Sequence, residues 1–267
     1  MKISKHLVLV GFCTMIILGS IAQAAVLYDR NFENPVAFVN DSGDVNIFNP
    51  VNTLYGNQPP GFLFAQQFTV ETLLITGNQA FGRGYSDPSG KGGNYALGML
   101  SDLQNDLLGL SFNVGSNKYL NFRLDISSID LSVFGGPFVP PGAVPIFEFT
   151  LYDNPSGANG LGSGTILDVQ QATGTASAQD VFDWTEVLLP LDATGNTNGN
   201  VTLRIDLLTG GYAALDNFRI AASDKPGDVG AVPEPTTFAL FTAGILGFRA
   251  LRRRGTSQGN SESVLCD

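Results

Sequence analysis

Short runs of alternating apolar and polar residues, separated by turns rich in glycine, asparagine, proline and aspartate, set the tightest limit on how this chain folds. In "NVTLRIDLL", Val201, Leu203, Ile205 and Leu207 share one face, while Thr202, Arg204 and Asp206 lie on the other. "YLNFRLDI" sets Leu120, Phe122, Leu124 and Ile126 opposite Asn121, Arg123 and Asp125. "PIFEFTLYD" puts Phe147, Phe149 and Leu151 opposite Glu148 and Thr150. Further strands are predicted in "AVLYDRNF", "LFAQQFTVETLLI", "NYALGML", "LLGLSFNV", "SSIDLSVF", "GTILDVQ", "WTEVLLPL" and "AALDNFRI". About ten or eleven short strands predict an all-β domain, a two-sheet β-sandwich of jelly-roll type. "LSDLQNDLLG" predicts one helical turn or two, and three loops are long and glycine-rich: Gly82–Asn94, Gly135–Pro145 and Asn154–Gly164.

Both ends differ from this pattern. Lys2 and Lys5 precede an apolar run from Leu7 to Leu18, and Ala22-Gln23-Ala24 follows. Positive charge, apolar core and small residues at A-x-A predict a secretory signal helix over residues 1–24, with the mature chain starting near Ala25. At the other end, "SDKPGDVGAVPEP" reads as a linker kept extended by proline and glycine. The predicted organisation is a signal peptide (1–24), a β-sandwich ectodomain (25–222), a linker (223–231), a sorting segment (232–254) and a polar tail (255–267).

Residues 25–230 carry 8 Lys+Arg against 21 Asp+Glu, a net charge of −13. Such a surface repels phosphate backbones and anionic headgroups, so nucleic acid is excluded as a partner, while metal cations suit it. Both cysteines, Cys13 and Cys266, lie outside this part, as does the single histidine, His6. The domain therefore has no disulfide, although an exported protein could form one. Ser-His-Asp and Cys-His catalysis and histidine-containing metal sites are excluded too.

The apolar run Thr237–Leu251 predicts a short transmembrane helix, with Arg249 snorkelling to the headgroups. Arg252, Arg253 and Arg254 hold its end on the cytoplasmic side. Pro233, Glu234 and Pro235, then this apolar helix, then the arginine cluster resemble the PEP-CTERM sorting signal. The resemblance implies recognition and processing by exosortase, a membrane enzyme of Gram-negative bacteria that make exopolysaccharide. It also implies sorting to the envelope, cell surface or extracellular matrix. One departure is the extra tail "GTSQGNSESVLCD" after the arginines.

Asp216 in "ALDNFRI" is the first residue of chemical interest. Strict alternation places Ala214, Asp216, Phe218 and Ile220 on one face, an acid among apolar neighbours. A buried carboxylate needs a partner: arginine, backbone N–H groups or a cation. With Glu33 near the mature N-terminus, Asp216 resembles the acid pair that holds one structural calcium in many jelly-roll carbohydrate-binding modules. That resemblance implies a Ca²⁺ site formed by Glu33 and Asp216, with Asp29 as a third ligand.

Trp184, between Asp183 and Glu186, is either a sugar-stacking platform or a core residue. The two acids lie too close on one strand to work as a glycosidase pair. Tyr85, Tyr95 and Tyr212 either line a sugar cleft or cap a core. The loop around Lys91 lacks the Ser/Thr of a phosphate loop, and "DATGNTNGN" lacks the acids of a calcium loop. The expected role is non-catalytic: an exported matrix or biofilm protein that binds exopolysaccharide, or a structural one that associates with itself or other surface proteins; a glycan-active enzyme working through carboxylates is the third reading.

Overall fold

The computed structural model describes residues 24–36, 38, 51, 55, 64–68, 70–75, 79–80, 83–101, 105–129 and 142–230. The predicted signal helix, the sorting helix and the sorting residues Pro233, Glu234, Pro235, Arg252, Arg253 and Arg254 lie outside these residues. Among the described residues no helix is long and apolar enough to cross a membrane.

The strands are β1 (Ala25–Arg30), β2 (Phe64–Gln67), β3 (Glu71–Leu74), β4 (Gln79–Ala80), β5 (Arg83–Gly84), β6 (Tyr95–Leu100) and β7 (Leu107–Asn113). They continue with β8 (Tyr119–Ser128), β9 (Ile146–Asp153), β10 (Ile166–Thr173), β11 (Thr185–Asp192), β12 (Asn200–Thr209) and β13 (Tyr212–Ser223). One sheet runs β11-β8-β13-β6-β3, with β1 also paired to β13; the other runs β10-β9-β12-β7-β2. All of these ladders are antiparallel. The expected all-β, two-sheet sandwich is therefore the observed one.

The main core fills the space between the sheets. Phe122 of β8 meets Phe149 of β9 edge to face at 5.8 Å and Phe218 of β13 at 4.9 Å. Both arrangements are favourable for aromatic quadrupoles. Leu203, Ile205 and Leu207 complete this layer as the alternation predicts. A second cluster contains Leu73, Ile75, Tyr85, Phe182, Trp184, Tyr212 and Ala214.

Three details differ from the sequence reading. "LFAQQFTVETLLI" is two strands in different sheets, because Phe68 takes φ = 59° and turns the chain between β2 and β3. "SSIDLSVF" is not a separate strand at its start: Ser127 and Ser128 close β8. The helical turn predicted in "LSDLQNDLLG" falls on residues 102–104, which lie outside the described residues; β7 begins at Leu107. The predicted linker is docked on the domain over its first residues. Ser223 ends β13, and Asn121 Nδ2 donates to Lys225 O at 3.2 Å and Asp228 O at 3.0 Å. Gly227 N donates to Asn121 Oδ1, and Arg219 Nε donates to Val229 O. Proline and glycine keep this segment from building a core of its own, but backbone groups suffice to pin it to a buried asparagine.

β13 organises the region of chemical interest. One side pairs with β8 throughout; the other is shared, Tyr212–Leu215 pairing with β6 and Phe218–Ala222 with β1. The register against β8 shifts between Asp216 and Arg219, where Asn217 has φ = 54°. Asparagine tolerates that left-handed conformation better than most residues. The bulge breaks strict alternation, so Leu215 and Phe218 both join the main core while Ala214 joins the second cluster. The single face predicted for Ala214, Asp216, Phe218 and Ile220 is therefore not formed.

Candidate functional site

Asp216 sits at this bulge, where β1 has ended and β6 has begun, and is 1% exposed. Asp216 Oδ1 accepts the N–H of Asn217 at 2.6 Å; the buried Oδ2 has no hydrogen-bond partner among the described residues. Burial, above all, pushes the Asp216 carboxyl up to about 9, and the negative charges of Glu33, Asp125 and Asp87 add to the shift. The neighbouring acids are better provided for. Glu33 Oε1 accepts Asn94 N at 2.7 Å and Tyr95 N at 3.1 Å, and Oε2 accepts Asn94 Nδ2 at 3.0 Å. Asp87 folds its own loop by accepting Ser89 N, Gly90 N and Gly92 N. Asp125 is held by Lys91 Nζ at 2.9 Å and Asn217 Nδ2 at 2.9 Å.

Local backbone explains how Glu33 arrives here. Phe32 takes φ = 54° just after β1 and packs edge to face on Phe218 at 5.0 Å. That turn buries Phe32 and delivers Glu33 to the first amides of β6. Gly93, at φ = 60°, leaves the space: a Cβ there would lie 2.2 Å from Glu33 Oε1. Asp29 goes elsewhere. Its carboxylate pairs with Arg219 Nη1, so the structure separates it from the role of a third ligand. Among the described residues no three His, Cys, Asp or Glu side chains converge on a metal position. A hard cation is nonetheless chemically suited to Asp216, whose buried oxygen lacks a donor and whose acidic surroundings raise the local negative potential.

Trp184 is core. It is 8% exposed, stacks on Phe182 with centroids 5.5 Å apart and planes 11° apart, and a Cβ on Gly92 would lie 2.4 Å from its ring. It offers no open face to a sugar. Tyr85 and Tyr212 are buried with it, and Tyr212 donates its hydroxyl to Glu71 Oε2 at 2.7 Å.

The outer face of the five-stranded sheet gathers polar side chains that the sequence shows only as the solvent phase of alternating strands. Register places Gln171, Glu148, Asp206 and Leu107 in one row, and Val169, Thr150, Arg204 and Gly109 in the next. Tyr152, Thr202 and Ser111 form the row beyond. Arg204 lies over the Tyr152 ring with its guanidinium carbon 5.1 Å from the centroid. Gln171 Nε2 donates to Glu148 Oε2 at 3.1 Å, and Asn105 Nδ2 approaches Asp206 Oδ2 at 3.5 Å. Arg204 Nε and Asp206 Oδ1 are both buried and without a partner among the described residues. Burial raises the Asp206 carboxyl above its ordinary range, with Glu148 adding to the effect and Asn105 and Arg204 opposing it.

The loop after β9 walls this face. A Cβ on Gly109 would lie 2.2 Å from Gly160 O, and one on Gly162 would lie 2.2 Å from the Tyr152 ring. Glycine at both positions lets the loop lie directly on the sheet. Between loop and sheet is a cavity of about 370 Å³, bordered by Asp153, Asn154, Ser156, Gly160 and Thr202 among others.

No curated protein matches the chain. Among solved structures, the xylan-binding domain from CBM 22 is 14% identical, with 75% of this chain and 97% of that chain covered, at a TM-score of 0.39. The C-terminal family 22 carbohydrate binding module of Clostridium thermocellum Xyn10B is 14% identical over 74% and 95%, at 0.38. The K3 cleaved adhesin domain of Lys-gingipain from Porphyromonas gingivalis is 11% identical over 73% and 98%, at 0.39. These are likenesses of fold. Residues 231–254 match the PEP-CTERM protein-sorting motif, so the chain is a β-sandwich protein carrying a PEP-CTERM sorting signal.

Proposed function

We propose that the protein is exported, sorted through its PEP-CTERM tail, and binds a glycan without catalysis on the outer face of its five-stranded sheet. One observation carries this reading: Arg204 Nε and Asp206 Oδ1, a buried donor and a buried acceptor, both lack partners among the described residues, on one polar face bordered by a loop. Unmet buried hydrogen-bonding groups are costly, and a ligand rich in hydroxyls, each donor and acceptor at once, supplies both kinds of partner. Glu148, Gln171 and Asn105, beside Asp206, extend the site along a second sugar residue.

Exosortase is the processing partner that the sorting motif supports, and exopolysaccharide of the host's own matrix is the ligand that fits its destination. A structural Ca²⁺ would be held by Asp216 and Glu33, where it would neutralise the buried charge and tie the β1–β6 junction together. Calorimetric titration of the full chain in detergent with neutral xylo-, gluco- and galacto-oligosaccharides tests the binding reading. Binding to one class that Arg204→Gln weakens at least tenfold supports it; absence of binding to all of them and to host exopolysaccharide overturns it.

A further inference from the structure

On the opposite side of the sandwich, a cleft of about 440 Å³ opens on the outer face of the six-stranded sheet. Asp29, Arg30, Asn31, Arg123, Asp125 and Glu186 line it. Residues 25–230 contain only 8 Lys+Arg, yet Arg30, Lys91, Arg123 and Arg219 collect on or beside this cleft. Two of these are neutralised: Lys91 by Asp125 and Arg219 by Asp29. Arg123 and Arg30 have no carboxylate partner among the described residues; Arg30 Nη1 donates only to Asp29 O, at 2.7 Å. Glu186 is the remaining acid of the lining, and it is exposed.

The placement of Arg123 is costly without an anion. In antiparallel register it lies directly opposite Arg219 on β13 and opposite Leu188 on β11. Like charges directly opposite across strands destabilise a sheet. Asp29 relieves Arg219 but not Arg123. Leu188 is 47% exposed and gives Arg123 an apolar neighbour, suited to the C–H face of a pyranose.

We propose that this cleft is a second glycan subsite, selective for a carboxylated sugar residue such as a uronate, whose carboxylate is taken by Arg123 and Arg30. Guanidinium groups fit a carboxylate with two parallel N–H···O bonds. The assignment of the carboxylate to a sugar rests on the glycan-binding reading above; the assignment of an anion rests on the two arginines alone. With one subsite on each outer face, a single domain joins two glycan strands, and linkage of this kind raises avidity without new contacts.

The test is titration of the full chain in detergent with tri-galacturonate, free acetate, inorganic sulfate and a neutral trisaccharide. Tri-galacturonate should bind at least tenfold more tightly than acetate or sulfate. Arg123→Gln should weaken it at least tenfold, and Arg30→Gln, at an exposed strand end, several-fold. Unaltered tri-galacturonate binding in both Arg123→Gln and Arg30→Gln would overturn the subsite. Sulfate binding as tightly as tri-galacturonate would overturn the sugar assignment. Neutral-glycan binding that is insensitive to Arg204→Gln sinks the five-stranded-sheet reading instead, so the two failures are separable.

Discussion

Glu33 caps β6: its Oε1 accepts the N–H groups of Asn94 and Tyr95, 61 and 62 positions further along the chain. This contact joins the end of β1 to the start of β6 across the gap that Asp216 faces. Hydrogen bonds to a charged group are worth about 1.5–3 kcal/mol each, and less where water reaches them, as it does at the Asn94 contacts. Glu33→Ala is expected to destabilise the domain by about 2 kcal/mol and to remove any stabilisation by calcium. Thermal melts with calcium and with chelator check both effects.

Gly93→Ala reaches the same contact through the backbone. The new Cβ collides with the Glu33 carboxylate, and the residue must hold φ = 60°. A loss of about 1–3 kcal/mol is expected from the strained conformation and the displaced cap together. Urea denaturation measures it. A change below about 0.5 kcal/mol would mean that Glu33 does not hold the junction.

Asp216 gives a pH dependence with a definite sign. Its folded-state pKa of about 9 lies above the ordinary value of 3.8, so the folded chain binds the extra proton between those limits. Without a cation, its contribution to stability is complete below pH 3.8 and is lost as pH rises through about 9. Calcium competes with that proton, so the rise in Tm on adding calcium should grow from pH 6 to pH 9. Asp216→Asn should flatten this part of the stability profile and abolish the calcium response. A calcium response that survives in Asp216→Asn would place the ion elsewhere.

The sheets were legible in the sequence because period-two patterning records which face is buried. Where both faces are covered, that record fades. Asn121 reads as a solvent-facing polar residue on β8, yet it is buried and binds the segment after β13. Trp184 left two readings open because an aromatic ring carries no mark of its environment; the packed Gly92 and Phe182 decide for the core. Asp216 stood out as an acid among apolar residues, but the bulge that changes its phase did not. The Arg204–Asp206 face was visible as alternation, while its chemical meaning depended on a loop from β9 folding over Gly109.

Trp184→Ala should cost about 3–5 kcal/mol, the usual range for emptying a buried aromatic site. Affinity of the remaining folded fraction for glycan should not change. A tenfold loss of affinity in a folded Trp184→Phe variant would return Trp184 to a ligand role.

Asn121→Ala removes the hydrogen bonds that hold the partly buried backbone of the segment after β13 and should destabilise the domain by about 1–2 kcal/mol. It should also expose residues 224–229 to limited proteolysis. Cleavage there at the wild-type rate would show that the clasp does not restrain the segment.

The central claim is that the outer face of the five-stranded sheet binds glycan. Its most direct test is co-sedimentation of the full chain in detergent with the host's own exopolysaccharide, comparing wild type with Asp206→Asn and Arg204→Gln. The expected result is saturable wild-type binding that both variants reduce at least tenfold, with Tm values within about 4 °C of wild type. Equal sedimentation of all three proteins, or none by the wild type, would contradict the claim.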